Sequence, residues 1–300
     1  MFPQTVVKAL SEHDYEIVKY LNKGGFGTCY IVKSLKYEIQ FVCKVSNDTT
    51  GDFIREQKAL TSFDHPNIVR VYDAFTYEKY LFLILEYCSG GSLLSLINSH
   101  KKISVSQMLK YSRDIIQALD YMHGLGFAHC DIKPSNVLID EFGRAKLCDF
   151  GLTIFTNQGK KQNNRICGSV NYMAPEMALN REYDPIKCDI WSLGVTLYHF
   201  ATGKVPYNGN HLKYISAELK FDREDFKHVP EQMAFIIEKC LRLNQDERYT
   251  SRQLLKCIDQ IPQLSSQSRS KSVSRPFTSA ASHIIRPHPR VRGLTKSMIA

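Results

Sequence analysis

Hydrophobic and polar positions follow two regimes along the chain. From Tyr15 to about Leu85, short apolar runs separated by turn residues predict β-strands. Tyr15–Leu21 runs into a glycine cluster, and Cys29–Val32 and Gln40–Val45 read as further strands. Phe53–Ser62 mixes polar and apolar residues at helical spacing, and Leu81–Leu85 is a continuous apolar run of buried-strand length. After Gly90-Gly91 the period changes. Across Gln107–His123 the residues Met108, Ile115, Leu119 and Met122 share one helical stripe, and helical segments dominate to about Ile258. Pro262 follows, and the remaining chain is rich in Ser, Arg and Pro, a composition that buries too little apolar area to fold alone. The expected organisation is a leader at 1–14, a folded region at 15–260 and a basic, disordered tail at 261–300. Within the folded region a small β-rich lobe covers about 15–85 and a larger helical lobe about 89–260, which makes the class α+β.

Charge sharpens the view of the tail. The 300 residues carry 39 Lys+Arg against 30 Asp+Glu, a formal +9. Residues 264–300 hold seven of the basic side chains (Arg269, Lys271, Arg275, Arg286, Arg290, Arg292, Lys296) and no acidic one. Without those seven, 32 basic residues face 30 acidic ones, so residues 1–263 carry only +2. The body is therefore not expected to hold nucleic acid stably, and attraction to acidic partners belongs to the tail. Nine cysteines, with no pair at CxxC spacing, argue against a zinc site and for free thiols in a reducing compartment. No basic segment followed by an apolar stretch opens the chain, so no secretory signal is expected. Leu81–Leu85 is far shorter than the roughly 20 residues that span a bilayer, so no transmembrane segment is expected either. The expected setting is intracellular and cytoplasmic, with the nucleus left open.

Three clusters carry candidate chemistry. Asn22-Lys23-Gly24-Gly25-Phe26-Gly27-Thr28-Cys29 lies between two predicted strands, where glycines let backbone approach phosphate oxygens closely. Taken alone, it is equally a β-hairpin turn. Lys44 ends the next strand, and Glu56 sits on the predicted helix after it. The second cluster, His129-Cys130-Asp131-Ile132-Lys133-Pro134-Ser135-Asn136, packs a candidate base, a cation and an amide together. These are the types that phosphoryl transfer uses to accept a hydroxyl proton, stabilise developing charge and ligate Mg²⁺. The third is Asp149-Phe150-Gly151, thirteen residues after Asn136 and past a predicted hairpin.

Over about residues 15–259 the chain resembles the eukaryotic protein kinase family, serine/threonine type. The glycine-rich loop, Lys44, Glu56, Asp131, Lys133, Asn136, Asp149-Phe150-Gly151, Ala174-Pro175-Glu176, Asp189-Ile190-Trp191-Ser192-Leu193-Gly194 and Arg248 occur in family order, and the ordered set is specific. The resemblance implies a bilobal fold, ATP and Mg²⁺ as cofactors, and protein substrates with Ser/Thr acceptors. It implies that Asp131 takes the acceptor proton, Lys133 stabilises the γ-phosphoryl, and Asn136 and Asp149 bind the metal. It places ATP against Leu21 and the loop from Asn22 to Cys29 (Lys23, Gly24, Gly25, Phe26, Gly27, Thr28 included). Val42, Cys29 and Leu138 would hold the adenine, with Glu86 and Cys88 in the hinge. Lys44 would hold the α/β-phosphates and pair with Glu56, and Glu176 and Arg248 match a structural ion pair.

The chain also departs from the family. Asn22 replaces the first loop glycine, and Cys29 replaces a valine over the adenine. Cys130 stands where the family has an Arg that receives a phosphate on the activation loop, and the corresponding loop position holds Arg165. Receiver and phosphate site are missing together, so activity is expected without activation-loop phosphorylation. Ser169 matches a position whose hydroxyl contacts the catalytic Asp. The competing reading is a pseudokinase or nucleotide-binding signalling scaffold, against which the intact Lys44, Glu56, Asp131, Asn136 and Asp149 speak.

Overall fold

Alternation of inward and outward side chains builds the first unit. The computed structural model describes residues 3–24, 27–47, 51–101, 103–156, 162, 167–207, 223–227 and 229–261. The chain beyond Ile261, and with it nearly all of the expected tail, lies outside the described residues, as do Gly25, Phe26 and Arg165. Strands β1 (Tyr15–Gly24), β2 (Gly27–Ser34), β3 (Gln40–Ser46), β4 (Val71–Tyr77) and β5 (Tyr80–Glu86) form one antiparallel sheet in the order β1-β2-β3-β5-β4. Period-two alternation sends Tyr30, Val32, Phe41, Cys43, Val45, Phe82 and Ile84 to one face, where they form a core. Lys44 and Val42 therefore point to the other face.

The expected leader contributes to this core. Gln4–Glu12 is a helix, α1, whose Val6, Ala9 and Leu10 lie on one stripe and are buried with the sheet residues. His13 then stacks on Phe75 with ring centroids 3.6 Å apart. Between β3 and β4, α2 (Asp52–Thr61) carries Glu56.

The second unit takes residues 63–69 as well as the described chain from Cys88 to Ile261. The sequence boundary had left 63–69 with the sheet, but their bonds run elsewhere. Val69 N–H donates to the Leu147 carbonyl (2.9 Å), Asn67 Nδ2 donates to the Ala145 carbonyl (2.9 Å), and Phe63 packs against Phe127 and Phe150.

Helices α3 (Leu93–Asn98), α4 (Val105–Gly124), α5 (Pro175–Ala178), α6 (Pro185–Thr202), α7 (Glu231–Cys240) and α8 (Ser251–Asp259) make up most of this unit. Their ends are chemically marked. Ser104 caps α4 by accepting from Gln107 N–H, Asp184 and Pro185 open α6, Gly203 closes it in the left-handed region, and Thr250 with Gln253 forms a capping box on α8. Two short two-stranded sheets complete the unit: the hairpin of β7 (Val137–Ile139) with β8 (Ala145–Leu147), and the pairing of β6 (Phe127–Ala128) with the distant β9 (Ile154–Phe155). Among the described residues no helix is long and apolar enough to cross a membrane.

Candidate active site

The loop between β6 and β7 carries the densest set of polar side chains. Asp131 is buried, and each of its oxygens has partners. Oδ1 accepts from the Ser169 N–H (3.0 Å) and Ser169 Oγ (2.9 Å). Oδ2 accepts from Lys133 Nζ (2.7 Å) and Asn136 Nδ2 (3.0 Å). Lys133 Nζ also donates to Ser169 Oγ at 2.7 Å. Burial pushes the Asp131 carboxyl up, but the Lys133 ammonium, His129 and the Ser169 hydroxyl outweigh it and hold it below the usual carboxylate range. The group is thus an ionised, oriented acceptor.

The backbone under Asp131 is strained and held in place. Cys130 sits at φ +66 and Asp149 at φ +64, a region that non-glycine residues seldom occupy. Asp189, on α6, accepts the backbone N–H groups of His129 (2.7 Å) and Cys130 (2.8 Å) and contacts His123 Nε2 at 3.1 Å. His129 ties the loop to the Asp149 segment. Its Nδ1 accepts from the Asp131 N–H (3.3 Å), and its Nε2 donates to the Cys148 carbonyl (3.1 Å), which fixes the tautomer. In the sequence Asp189 appears only as the first residue of the family-ordered run Asp189–Gly194. Its grip on the loop backbone joins residues 60 apart, and no spacing rule announces it.

Asn136 spends Nδ2 on the Asp131 carbonyl (2.9 Å) and carboxylate, which leaves its Oδ1 as the acceptor to offer a cation. Among the described residues no preformed cluster of three or more His, Cys, Asp or Glu side chains stands ready for a metal. A site built from one carboxylate and one amide oxygen suits Mg²⁺, which keeps waters and takes substrate phosphate oxygens as its other ligands.

In the sheet unit, Lys44 Nζ and Glu56 Oε2 are 2.6 Å apart, at side-chain exposures of 9% and 1%. The glycine-rich stretch is a hairpin, with Lys23 opposite Thr28, Asn22 opposite Cys29 and Gly24 opposite Gly27. A Cβ on Gly27 would lie 2.5 Å from the Val45 carbonyl oxygen, so glycine is required there. Cys29 pairs with Lys44 across β2 and β3, and Val42 pairs with Leu85 across β3 and β5. Glu86 ends β5, its carboxylate accepting the Arg70 N–H at 3.2 Å. Cys88 is buried, and Leu138 lies half-buried in β7, bridged to Ser92. Leu21, Asn22 and Lys23 are exposed.

The ion pair read from the sequence is present deep in the second unit. Arg248 Nη1 and Nη2 meet Glu176 Oε1 and Oε2 at 2.6 and 2.7 Å, and the guanidinium lies 4.9 Å from the Trp191 ring centroid. This is a bidentate, fully buried pair.

Comparison with known proteins agrees with this geometry. The family model described as "Protein kinase domain" matches residues 15–257. Sperm motility kinase Z of Mus musculus is 32% identical over 252 residues, covering 84% of this chain and 49% of its own length. An Aurora kinase of Eremothecium gossypii is 35% identical over 214 residues, covering 68% of this chain and 57% of its own. The serine/threonine-protein kinase ATG1a of Arabidopsis thaliana is 31% identical over 255 residues, covering 80% of this chain and 40% of its own. The match covers between 40% and 57% of these three relatives' own length, so the chain spans only part of them. By the family match and by the ordered residues around Asp131, Lys44 and Arg248, the chain belongs to the protein kinase family.

Proposed function

We propose that the chain is an active serine/threonine protein kinase that transfers the γ-phosphoryl of ATP to protein hydroxyls and does not need phosphorylation of its activation loop. The observation that carries this reading is the assembled Asp131–Lys133–Asn136–Ser169 network. In this reading Asp131 accepts the proton of the acceptor hydroxyl, and its depressed pKa keeps it ionised for that role at neutral pH. Lys133 donates to the transferred group's oxygens, and Lys44, fixed by Glu56, binds the α/β-phosphates. Asn136 and Asp149 would hold Mg²⁺, which would supply charge neutralisation for the phosphates. The family resemblance assigns the phosphates to the stretch from Leu21 to Cys29 and the adenine to Val42, Cys29 and Leu138, with Glu86 and Cys88 as its hydrogen-bonding edge.

The surroundings of Cys130 support independence from phosphorylation. It is buried against Ala128 and Ile154, with Leu152, Cys167 and Ile186 beside them, so the receiver position is apolar. Thr153 and Thr156 are 2% and 4% exposed, out of reach of a second kinase. The basic residues of 264–300 supply affinity for acidic partners, outside the kinase region.

The test has two arms. Asp131→Asn should lower Mg²⁺-dependent transfer to a generic peptide at least 100-fold, the lower end of what a positioned base contributes. Phosphatase-treated enzyme, shown by mass spectrometry to carry no phosphate in 149–176, should keep its initial rate within threefold. No turnover by the native chain sides with the pseudokinase, whereas undiminished turnover by the variant removes Asp131 as the base. A tenfold loss after phosphatase, equivalent to about 1.4 kcal/mol of barrier, overturns the regulatory reading alone.

A further inference from the structure

Three cysteines line one small pocket beneath Asp131: Cys130, Cys167 and Cys188. Cys130 and Cys188 are buried, whereas Cys167 is half-exposed. Cys167 packs against the apolar cluster that contains Cys130, whose thiol donates to the Ala128 carbonyl at 3.8 Å. The backbones are equally close. Gly168 stands at φ +93, and a Cβ there would come within 2.6 Å of the Cys130 carbonyl oxygen. Cys188 is engaged elsewhere, its thiol donating to Glu176 Oε1 at 3.3 Å, on the carboxylate that Arg248 grips.

We propose that a peroxide converts Cys130 and Cys167 into a reversible disulfide that ties the segment leading to Ser169 to the catalytic loop. Hydrogen peroxide is small enough to enter where a half-exposed sulfur meets solvent. The Cys167 thiolate attacks one peroxide oxygen, and the O–O bond breaks. The departing hydroxide takes up a proton as water, and Cys167 is left as a sulfenic acid. Cys130 sulfur then attacks Cys167 sulfur. The S–S bond forms, the S–O bond breaks, and the hydroxide leaves as a second water with the Cys130 proton. Two thiols are oxidised and one peroxide is reduced to two waters.

The division of labour follows from the surroundings. The neighbouring Cys167 thiol, then burial, then the Asp189 carboxylate push the Cys130 thiol well up, so it keeps its proton. Cys167, reaching solvent, is the sulfur that meets peroxide first. Cys130 is the resolving partner, already in contact and so acting at high effective concentration. The link would join the residue before Asp131 to the one before Gly168, the two stretches that the Ser169–Asp131 bonds already hold together.

The experiment uses the full reduced chain. It is treated with hydrogen peroxide, remaining thiols are alkylated, and a non-reducing digest is read by mass spectrometry. The expected product joins the Cys130 and Cys167 peptides, lacks two hydrogens relative to the free pair, and separates with dithiothreitol. Cys188→Ala should still form it, and Cys167→Ser should not. Sulfinic acid at Cys167 with Cys130 still alkylated would overturn the proposal, as would a link from either residue to Cys188 or no oxidation at all. The readout involves no phosphoryl transfer, so it stands or falls separately from the kinase reading.

Discussion

At the residue scale, the positions that matter most are held by several partners at once. Arg248 is the clearest case. Beyond the bidentate bonds to Glu176, it donates to the carbonyls of Arg242 (2.8 Å) and Lys187 (3.0 Å), with no exposed side-chain surface. Removing one member of such a pair leaves an uncompensated buried charge, so Arg248→Leu should destabilise the fold by about 3–5 kcal/mol. Trp191, the chain's single tryptophan, lies under the guanidinium and will report unfolding in urea by its fluorescence. An unchanged midpoint would contradict the role. His199 gives a pH signature. Burial lowers its pKa, and its Nδ1 accepts from Tyr172 Oη at 2.9 Å, a hydroxyl that burial pushes up to about 12 and so keeps protonated. The folded value lies below the unfolded one, so the unfolded chain binds the proton more readily. Stability is then intact above about 6.5, declines as pH falls below that unfolded value, and is lost as pH falls through the lower folded one. The urea midpoint should drop between pH 7.5 and 5.5, and less so in His199→Gln. An equal slope in the variant would remove His199 as the cause.

At the element scale, the strands and long helices were legible because their patterns are local. Gln40–Val45 and Leu81–Leu85 became β3 and β5 within one residue at each end, and Gln107–His123 became α4 with two residues added at the start and one at the end. The catalytic residues were legible for another reason. Asp131, Lys133 and Asn136 fall within six positions, so one loop delivers them together. Residues 71–77 went unread because β4 mixes half-buried and exposed positions, with a register shift between Val71 and Asp73. Helix α1 was missed because it is short and its apolar stripe gains meaning only once a sheet face exists to receive it. That dependence makes a test. Leu10 has no exposed surface and sits among Phe82, Ile84 and Cys43. Leu10→Ala should cost about 2–5 kcal/mol by chemical denaturation. Lys44 points to the opposite face, so the ATP affinity of the protein that remains folded should hold. A loss below 1 kcal/mol would mean that α1 is an appendage, as its sequence alone suggested.

At the scale of the whole molecule, the described packing reaches residue 261, and the charge excess lies beyond it. Packing continues to that point. Leu254 and Ile258 of α8 have no exposed surface, Ile261 is still buried, and the capping box at Thr250 and Gln253 fixes the start of the helix. Helix α8 packs against α4, where Arg113 Nε meets Asp259 Oδ1 at 2.5 Å. The family match ends at 257, inside α8. Charge changes just beyond. The seven basic side chains of 264–300 supply all but +2 of the formal +9. A chain cut after Ile261 should therefore fold with an unchanged melting temperature and phosphorylate a neutral peptide at the native rate. It should also lose salt-sensitive retention on a heparin column, because counterion release scales with the number of basic contacts. A cut before Thr250 removes the cap and the buried face of α8, and should leave no cooperative unfolding transition. Should the chain cut after Ile261 melt more than a few degrees lower, residues 262–300 contribute to the fold itself. Should it keep its heparin retention, the polyanion affinity resides on the folded units despite their near-neutral charge.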